Sequence, residues 1–132
     1  MKLLFSFIFT LIVGHGVAQQ ADTSAIHAIV PIIKWDIDTF DLGIVKRGET
    51  RELIYNFTNV GKADLLIDLV TACRCTSLNW PSVAIAPGES GKIEVIYDST
   101  GQKLGPFTKT IDVIANTEPI VVEAFFMVDV IE

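Results

Sequence analysis

Cysteine is nearly absent from this sequence. The only two, Cys73 and Cys75, have one residue between them. Thiols so close in sequence cannot tie one β-sheet to another, and the Cys…Trp…Cys spacing of an antibody-type domain is missing. Histidine is as scarce, with His15 and His27 alone. A Ser-His-Asp triad needs a histidine in the folded core, and neither lies in a stretch that reads as core. His15 lies in the amino-terminal segment read below as a cleaved signal, which leaves Cys73, Cys75 and His27, one short of a four-ligand zinc site. No glycine-rich phosphate loop is present. There is no basic run: ten Lys and Arg face sixteen Asp and Glu, for a net charge of −6. That balance excludes nucleic acid and anionic membrane surfaces as natural partners. Internal repeats, low-complexity linkers and sustained helical periods are all missing. No apolar run approaches the roughly 20 residues of a membrane-spanning helix.

What is present begins with "MKLLFSFIFTLIVGHGVAQQ". One charge, Lys2, precedes an apolar run from Leu3 to Val13. Small residues follow at Gly16 and Ala18, and the chain then turns polar at Gln19. This is the layout of a secretory signal peptide over residues 1–18, cleaved after Ala18. No cysteine stands near the cleavage point to carry a lipid. The expectation is an exported protein, periplasmic or secreted, with no stable membrane insertion once the signal is removed. Cleavage leaves 114 of the 132 residues, enough for one domain with a real core. Residues 19–30 read as a loose lead-in, and residues 31–132 as the domain.

The domain reads as strands. "RELIYNFTN" alternates, with Leu53, Tyr55 and Phe57 on one face and Glu52, Asn56 and Thr58 on the other. "KIEVIYD" places Ile93, Val95 and Tyr97 together, and "TIDVIAN" places Ile111, Val113 and Ala115. "PIVVEAFFMVDVIE" aligns Ile120, Val122, Ala124, Phe126, Val128 and Val130. "ADLLIDLVT" groups Leu65, Ile67 and Leu69, and "IIKWDID" groups Ile33, Trp35 and Ile37, with a bend near Asp38-Thr39. Period two marks half-buried strands. Turn residues separate the runs: Gly48, Gly61, Pro87-Gly88, and Gly101 to Pro106. About seven short strands at this spacing predict an all-β, immunoglobulin-like antiparallel sandwich.

The same residues carry a resemblance. Phe40-Asp41-Leu42-Gly43, Gly48-Glu49, Phe57-Thr58-Asn59-Val60-Gly61, Leu65-Leu66-Ile67, Cys73-Arg74-Cys75-Thr76, Pro87-Gly88-Glu89, Gly105-Pro106-Phe107-Thr108-Lys109 and Asn116 follow one another in order. Over residues 40–119 this resembles the bacterial domain-of-unknown-function family 1573. The resemblance implies an immunoglobulin-like fold, similar to ASH/hydin and major-sperm-protein adaptor domains, in exported proteins of Bacteroidetes type. It implies no known activity. Arg74 departs from the family pattern, where glycine is common between the cysteines, and a Cβ there restricts the backbone.

The motif of Cys73, Arg74, Cys75 and Thr76 admits three readings. In an extended strand the two Cβ atoms would stand ~6–7 Å apart, against the ~3.5–4.5 Å of a disulfide, so a bridge requires a tight turn. Such a bridge, or packing of the thiols as small hydrophobes, is the structural reading. Arg74 beside the thiols favours reactivity, the redox reading. Two thiolates suit a soft Cu(I) ion, the metal reading. Other constellations are weaker. Asp36, Asp38 and Asp41 lack the glycine and distal Glu of a calcium loop. Asn56 sits in a sequon, but mid-strand. Trp35 and Trp80 read as core or sandwich-end packing. The sequence therefore predicts a non-catalytic binding or structural module of the bacterial cell envelope, without catalytic residues, cofactor or metal. Its expected partner is another envelope or secreted protein. The rival is a thiol redox or Cu(I)-handling protein working through Cys73 and Cys75.

Overall fold

The computed structural model describes residues 29–132, together with Gly14 and Gly16. Apart from Gly14 and Gly16, the signal peptide lies outside the described residues, as does all but the end of the lead-in. Eight strands run through the described part: β1 (Ile33–Trp35), β2 (Thr39–Lys46), β3 (Thr50–Asn59), β4 (Ile67–Thr71), β5 (Thr76–Asn79), β6 (Ser90–Asp98), β7 (Gly105–Ala115) and β8 (Val121–Ile131). They form two four-stranded sheets, β1-β3-β6-β5 and β2-β8-β7-β4, which makes the fold an all-β sandwich.

Alternation places the core between the sheets. Leu53, Tyr55 and Phe57 of β3 face Ile93, Val95 and Tyr97 of β6 along one register, and all six are buried. Ile111, Val113 and Ala115 of β7 and Ala124, Phe126, Val128 and Val130 of β8 supply the opposite wall. The two walls interlock through aromatic edges: Tyr97 meets Phe126 with ring centroids 5.2 Å apart, and Phe40 meets Tyr55 at 4.9 Å. Tyr55 also donates a 2.7 Å hydrogen bond from its hydroxyl to the Phe125 carbonyl of the other sheet. A buried phenol usually finds such an acceptor; the Tyr97 hydroxyl has none among the described residues.

Four particulars depart from simple alternation. The first run breaks after Trp35, and the chain leaves one sheet for the other over Asp36–Asp38. Trp35 stays with the core, edge-on to Tyr55 and Phe57, whereas Ile37, expected beside it, is 53% exposed. Second, β2 lies parallel to β8, so one pairing in an otherwise antiparallel fold is parallel. Third, β4 carries an extra residue: Ile67 opposes Ala115 and Leu69 opposes Ile114. One inserted residue reverses every later side chain. Val70 is therefore buried, and Leu69, expected in the core, is 43% exposed. Fourth, Ile120 precedes β8 and stands 62% exposed rather than continuing its inner face.

A matching bulge lies in β2, where Asp41 opposes Met127 but Ile44 opposes Asp129. Here Gly43 takes φ +63, a left-handed conformation suited to glycine, and its N–H bonds the Asp41 carboxylate at 2.9 Å. Phe40 and Leu42 turn inward before the bulge and Val45 after it.

Candidate functional site

The cysteine motif occupies the crossover from β4 to β5, where the chain passes from the edge of one sheet to the edge of the other. Thr76 makes this crossover a tight turn. Its N–H donates to the Cys73 carbonyl at 3.0 Å, and its hydroxyl donates to the same oxygen at 2.7 Å. On the other side the Asp98 N–H donates to the Cys75 carbonyl at 2.8 Å, pinning the turn to the end of β6. The turn brings the Cα atoms of Cys73 and Cys75 to 5.1 Å, and the two sulfurs are bonded. This is the tight-turn condition that an extended strand cannot meet. In the bridged form neither sulfur is free to bind Cu(I).

Cys75 belongs to the core, at 8% exposure, while Cys73 is half-buried against it. Arg74 projects into solvent between them. No residue other than glycine has a positive φ among the described residues, so Arg74 occupies a conformation open to any side chain. The arginine in place of the family's glycine costs the backbone nothing here. A ring closed by one intervening residue removes little chain entropy, less than about 2 kcal/mol. The bridge is therefore not what holds the sandwich together.

The other residues singled out in the sequence fall apart in space or into the core. Asp36, Asp38 and Asp41 are all exposed, and two are engaged locally: Asp38 accepts from the Thr39 hydroxyl at 3.0 Å, and Asp41 from Gly43. Among the described residues no group of three or more His, Cys, Asp or Glu side chains converges. Asn56 lies exposed in the middle of β3. Trp35 and Trp80 pack partly buried against the core.

Sequence reasoning named Asn59 and Asn116 only as motif letters, and the structure gives each a task. Asn59 is fully buried. Its amide nitrogen donates to the carbonyls of Ala63 (2.8 Å) and Ile85 (2.9 Å), and its amide oxygen accepts from Ile32 (3.2 Å) and Gly61 (3.0 Å). Gly61 allows that closure, because a Cβ there would stand 2.6 Å from the Pro31 Cα. Asn116 accepts from the Leu66 N–H at 2.8 Å and donates to the Asp64 carbonyl at 2.9 Å. Ser99, also buried, accepts from the Gly48 N–H at 2.9 Å and offers its hydroxyl to the carbonyls of Lys46 and Glu49. These side chains replace sheet hydrogen bonds where the chain turns.

The charges are peripheral. Ion pairs Arg47–Glu132, Arg51–Glu49 and Lys92–Glu94 all lie at the surface, where such pairs contribute little. The Arg51 side chain and the Lys46 N–H hold the Glu49 carboxyl below its ordinary range. Lys92 and Asn79 do the same for Glu94, and hydrogen bonds from Thr100 do so for Asp98. Burial pushes the Tyr55 hydroxyl well above the usual phenol range. Tyr97 is raised by burial first and by the Asp98 charge second.

The remaining accessible chemistry is the backbone at the sheet edges. Among the described residues, strands β1, β5, β2 and β4 are the four edges. Edge strands are commonly defended by bulges, charges or short length. Bulges interrupt β2 and β4. The three-residue β1 carries Lys34. Only β5, Thr76-Ser77-Leu78-Asn79, has neither charge nor bulge.

Comparison with known proteins places this geometry. A structure of a protein of unknown function from Porphyromonas gingivalis W83 superimposes with TM-score 0.67 at 19% identity, covering 78% of this chain and 48% of that one. The ASH/PapD-like domain 7 of human CEP192 superimposes with TM-score 0.60 at 14% identity, covering 93% of this chain and 98% of the domain. The VesB protease of Vibrio cholerae matches with TM-score 0.57 at 20% identity, over 76% of this chain and 32% of the protease. This chain thus spans about half the length of the Porphyromonas protein and a third of VesB. At these identities the likeness is one of fold. No protein of curated function matches the sequence. The model of the family described as "Protein of unknown function (DUF1573)" matches residues 33–130, and the chain belongs to that family.

Proposed function

We propose that this chain is an exported, non-catalytic immunoglobulin-like module of the bacterial cell envelope, and that it takes another envelope or secreted protein at the open edge of β5. The observation that carries the reading is the contrast among the four edges. Bulges interrupt β2 and β4 and a charge marks β1, while β5, itself only four residues long, carries neither charge nor bulge. The Thr76 N–H is taken by the Cys73 carbonyl, and unpaired N–H and C=O groups beyond it on such an edge accept an added strand. Four residues span about 13 Å, which suits a short extended segment of a partner. The amino-terminal sequence supports export.

The test has two arms. The protein recovered from its host envelope or medium is sequenced from its amino terminus, with Gln-Gln-Ala-Asp as the expected start. Intact Met1 in the cytosol would sink the export reading. In the second arm, envelope proteins are cross-linked to wild-type chain and to the Ser77→Lys, Asn79→Lys variant, which charges the β5 edge while leaving the core alone. Loss of the cross-linked partner with unchanged stability is expected. Equal cross-linking would place the partner elsewhere.

A further inference from the structure

The cysteine turn carries an inference beyond the binding reading. We infer that the Cys73–Cys75 bridge is a thiol–disulfide exchange site that accepts two electrons from a dithiol, with Cys73 as the attacked sulfur and Cys75 as the leaving one. The juxtaposition is specific. Cys73 is half-buried and next to the exposed Arg74, whereas Cys75 lies in the core. A thiolate arriving from solvent therefore meets Cys73. The arginine beside it favours an anionic nucleophile.

The turn does not depend on the sulfurs. Two hydrogen bonds from Thr76 to the Cys73 carbonyl, and one from Asp98 to the Cys75 carbonyl, are made by backbone groups and a hydroxyl. With the sulfurs reduced, these bonds still hold the two cysteines facing each other. The sandwich keeps its core, because the small ring constrains little of the unfolded chain. The bridge can thus open and close without unfolding.

The step balances as follows. A thiolate of the reagent attacks Cys73 Sγ. A bond forms between the reagent sulfur and Cys73 Sγ as the bond between Cys73 Sγ and Cys75 Sγ breaks. The electron pair leaves on Cys75 Sγ, which takes a proton. The second thiolate of the same dithiol then attacks the reagent sulfur and expels Cys73 as a thiolate, which is protonated in turn. The chain gains two electrons and two protons, and the dithiol becomes a disulfide. Exchange is stoichiometric, and it requires neither metal nor cofactor. Thr76 acts as a positioning residue, since it shapes the turn without touching the reagent.

The test uses the full oxidised chain. It is treated with dithiothreitol under native conditions, and free thiols are counted by alkylation and mass while circular dichroism follows the fold. Two thiols should appear with the spectrum unchanged, and oxidised glutathione should restore the bridge. Cys75→Ser should form a mixed disulfide with glutathione at Cys73 at least about tenfold faster than Cys73→Ser forms one at Cys75, because exposure governs access. Thr76→Val, which removes only the hydroxyl bond, should slow reclosure about fivefold, as expected for one net hydrogen bond. Native chain that resists dithiothreitol until denatured would overturn the inference. So would reduction that unfolds the protein, or equal trapping at the two cysteines. The wild-type measurement stands even where a serine variant fails to fold.

Discussion

Asn59 shows how a single side chain can set a fold without advertising itself. It forms four hydrogen bonds from a site with no solvent access. Removal of the amide leaves the Ala63 carbonyl and the Ile32 and Gly61 N–H groups without this partner, each costing about 1–3 kcal/mol when unsatisfied, while the Ile85 carbonyl keeps the Leu65 N–H. Asn59→Ala should therefore lower stability by about 3 kcal/mol or more in a denaturant titration. Asn56→Ala, three residues earlier on the exposed face of the same strand, should stay within about 0.5 kcal/mol. Equal losses would mean that the amide is solvated rather than locked. The sequence made the position visible through the spacing Phe57-x-Asn59-x-Gly61 but not its task. The partners Ile32, Ala63 and Ile85 come from three separate segments that only the closed sandwich brings together. Thr76 is a similar case. Cys73 and Cys75 drew attention as chemistry, whereas Thr76 makes the turn that allows them to meet.

At the scale of elements, legibility followed uninterrupted alternation. Strands β3, β6, β7 and β8 could be read with the correct faces because each keeps one period and each has a neighbour on both sides. The edges were harder. Bulges in β2 and β4 each insert one residue, and a period-two reading has no way to see the inserted residue before the partner strand is known. A bend was expected near Asp38-Thr39, but the strand already ends at Trp35, and the change of sheet and the parallel pairing with β8 are long-range facts. The bulge in β4 makes a sharp prediction. Val70→Ala, at a site 3% exposed, should cost about 2 kcal/mol for two buried carbons and the space they leave. Leu69→Ala, though it deletes more, should cost less than about 1 kcal/mol because Leu69 faces outward. Reversed costs would restore strict alternation and remove the bulge. The same reasoning bears on the crossover between β4 and β5. The double variant Cys73→Ser, Cys75→Ser should lower stability by only about 1–2 kcal/mol and leave the circular dichroism spectrum intact, since Thr76 and Asp98 hold the turn. Loss of folding would show that the bridge carries the crossover.

Considered whole, the molecule is two sheets joined face to face by apolar packing and, at one point in the core, by a polar link. Tyr55 of β3 donates to the Phe125 carbonyl of β8, and its ring meets Phe40 and Trp35. Such a link gives the sandwich a specific pH response. Burial raises the Tyr55 and Tyr97 hydroxyls above their ordinary value, so the folded chain holds these protons more tightly than the unfolded chain does. The resulting stability is fully present below the ordinary tyrosine pKa of about 10 and is lost as pH rises from there toward the folded-state values. The depressed carboxyls Glu49, Glu94 and Asp98 act in the opposite direction, losing their contribution as pH falls through their folded-state values. All three lie at the surface, so their effect is screened. Alkaline pH is therefore the more damaging side. Tyr55→Phe separates the two roles of the phenol. It should cost about 1 kcal/mol near neutrality, where the hydrogen bond is lost. Above pH of about 10 its stability should fall less steeply than the wild type's, because one buried ionisable group is gone. Denaturant midpoints measured across the alkaline range would show the two curves converging. Parallel curves would mean that Tyr55 ionises as freely in the folded sandwich as in the open chain, and that the link between the sheets is wet.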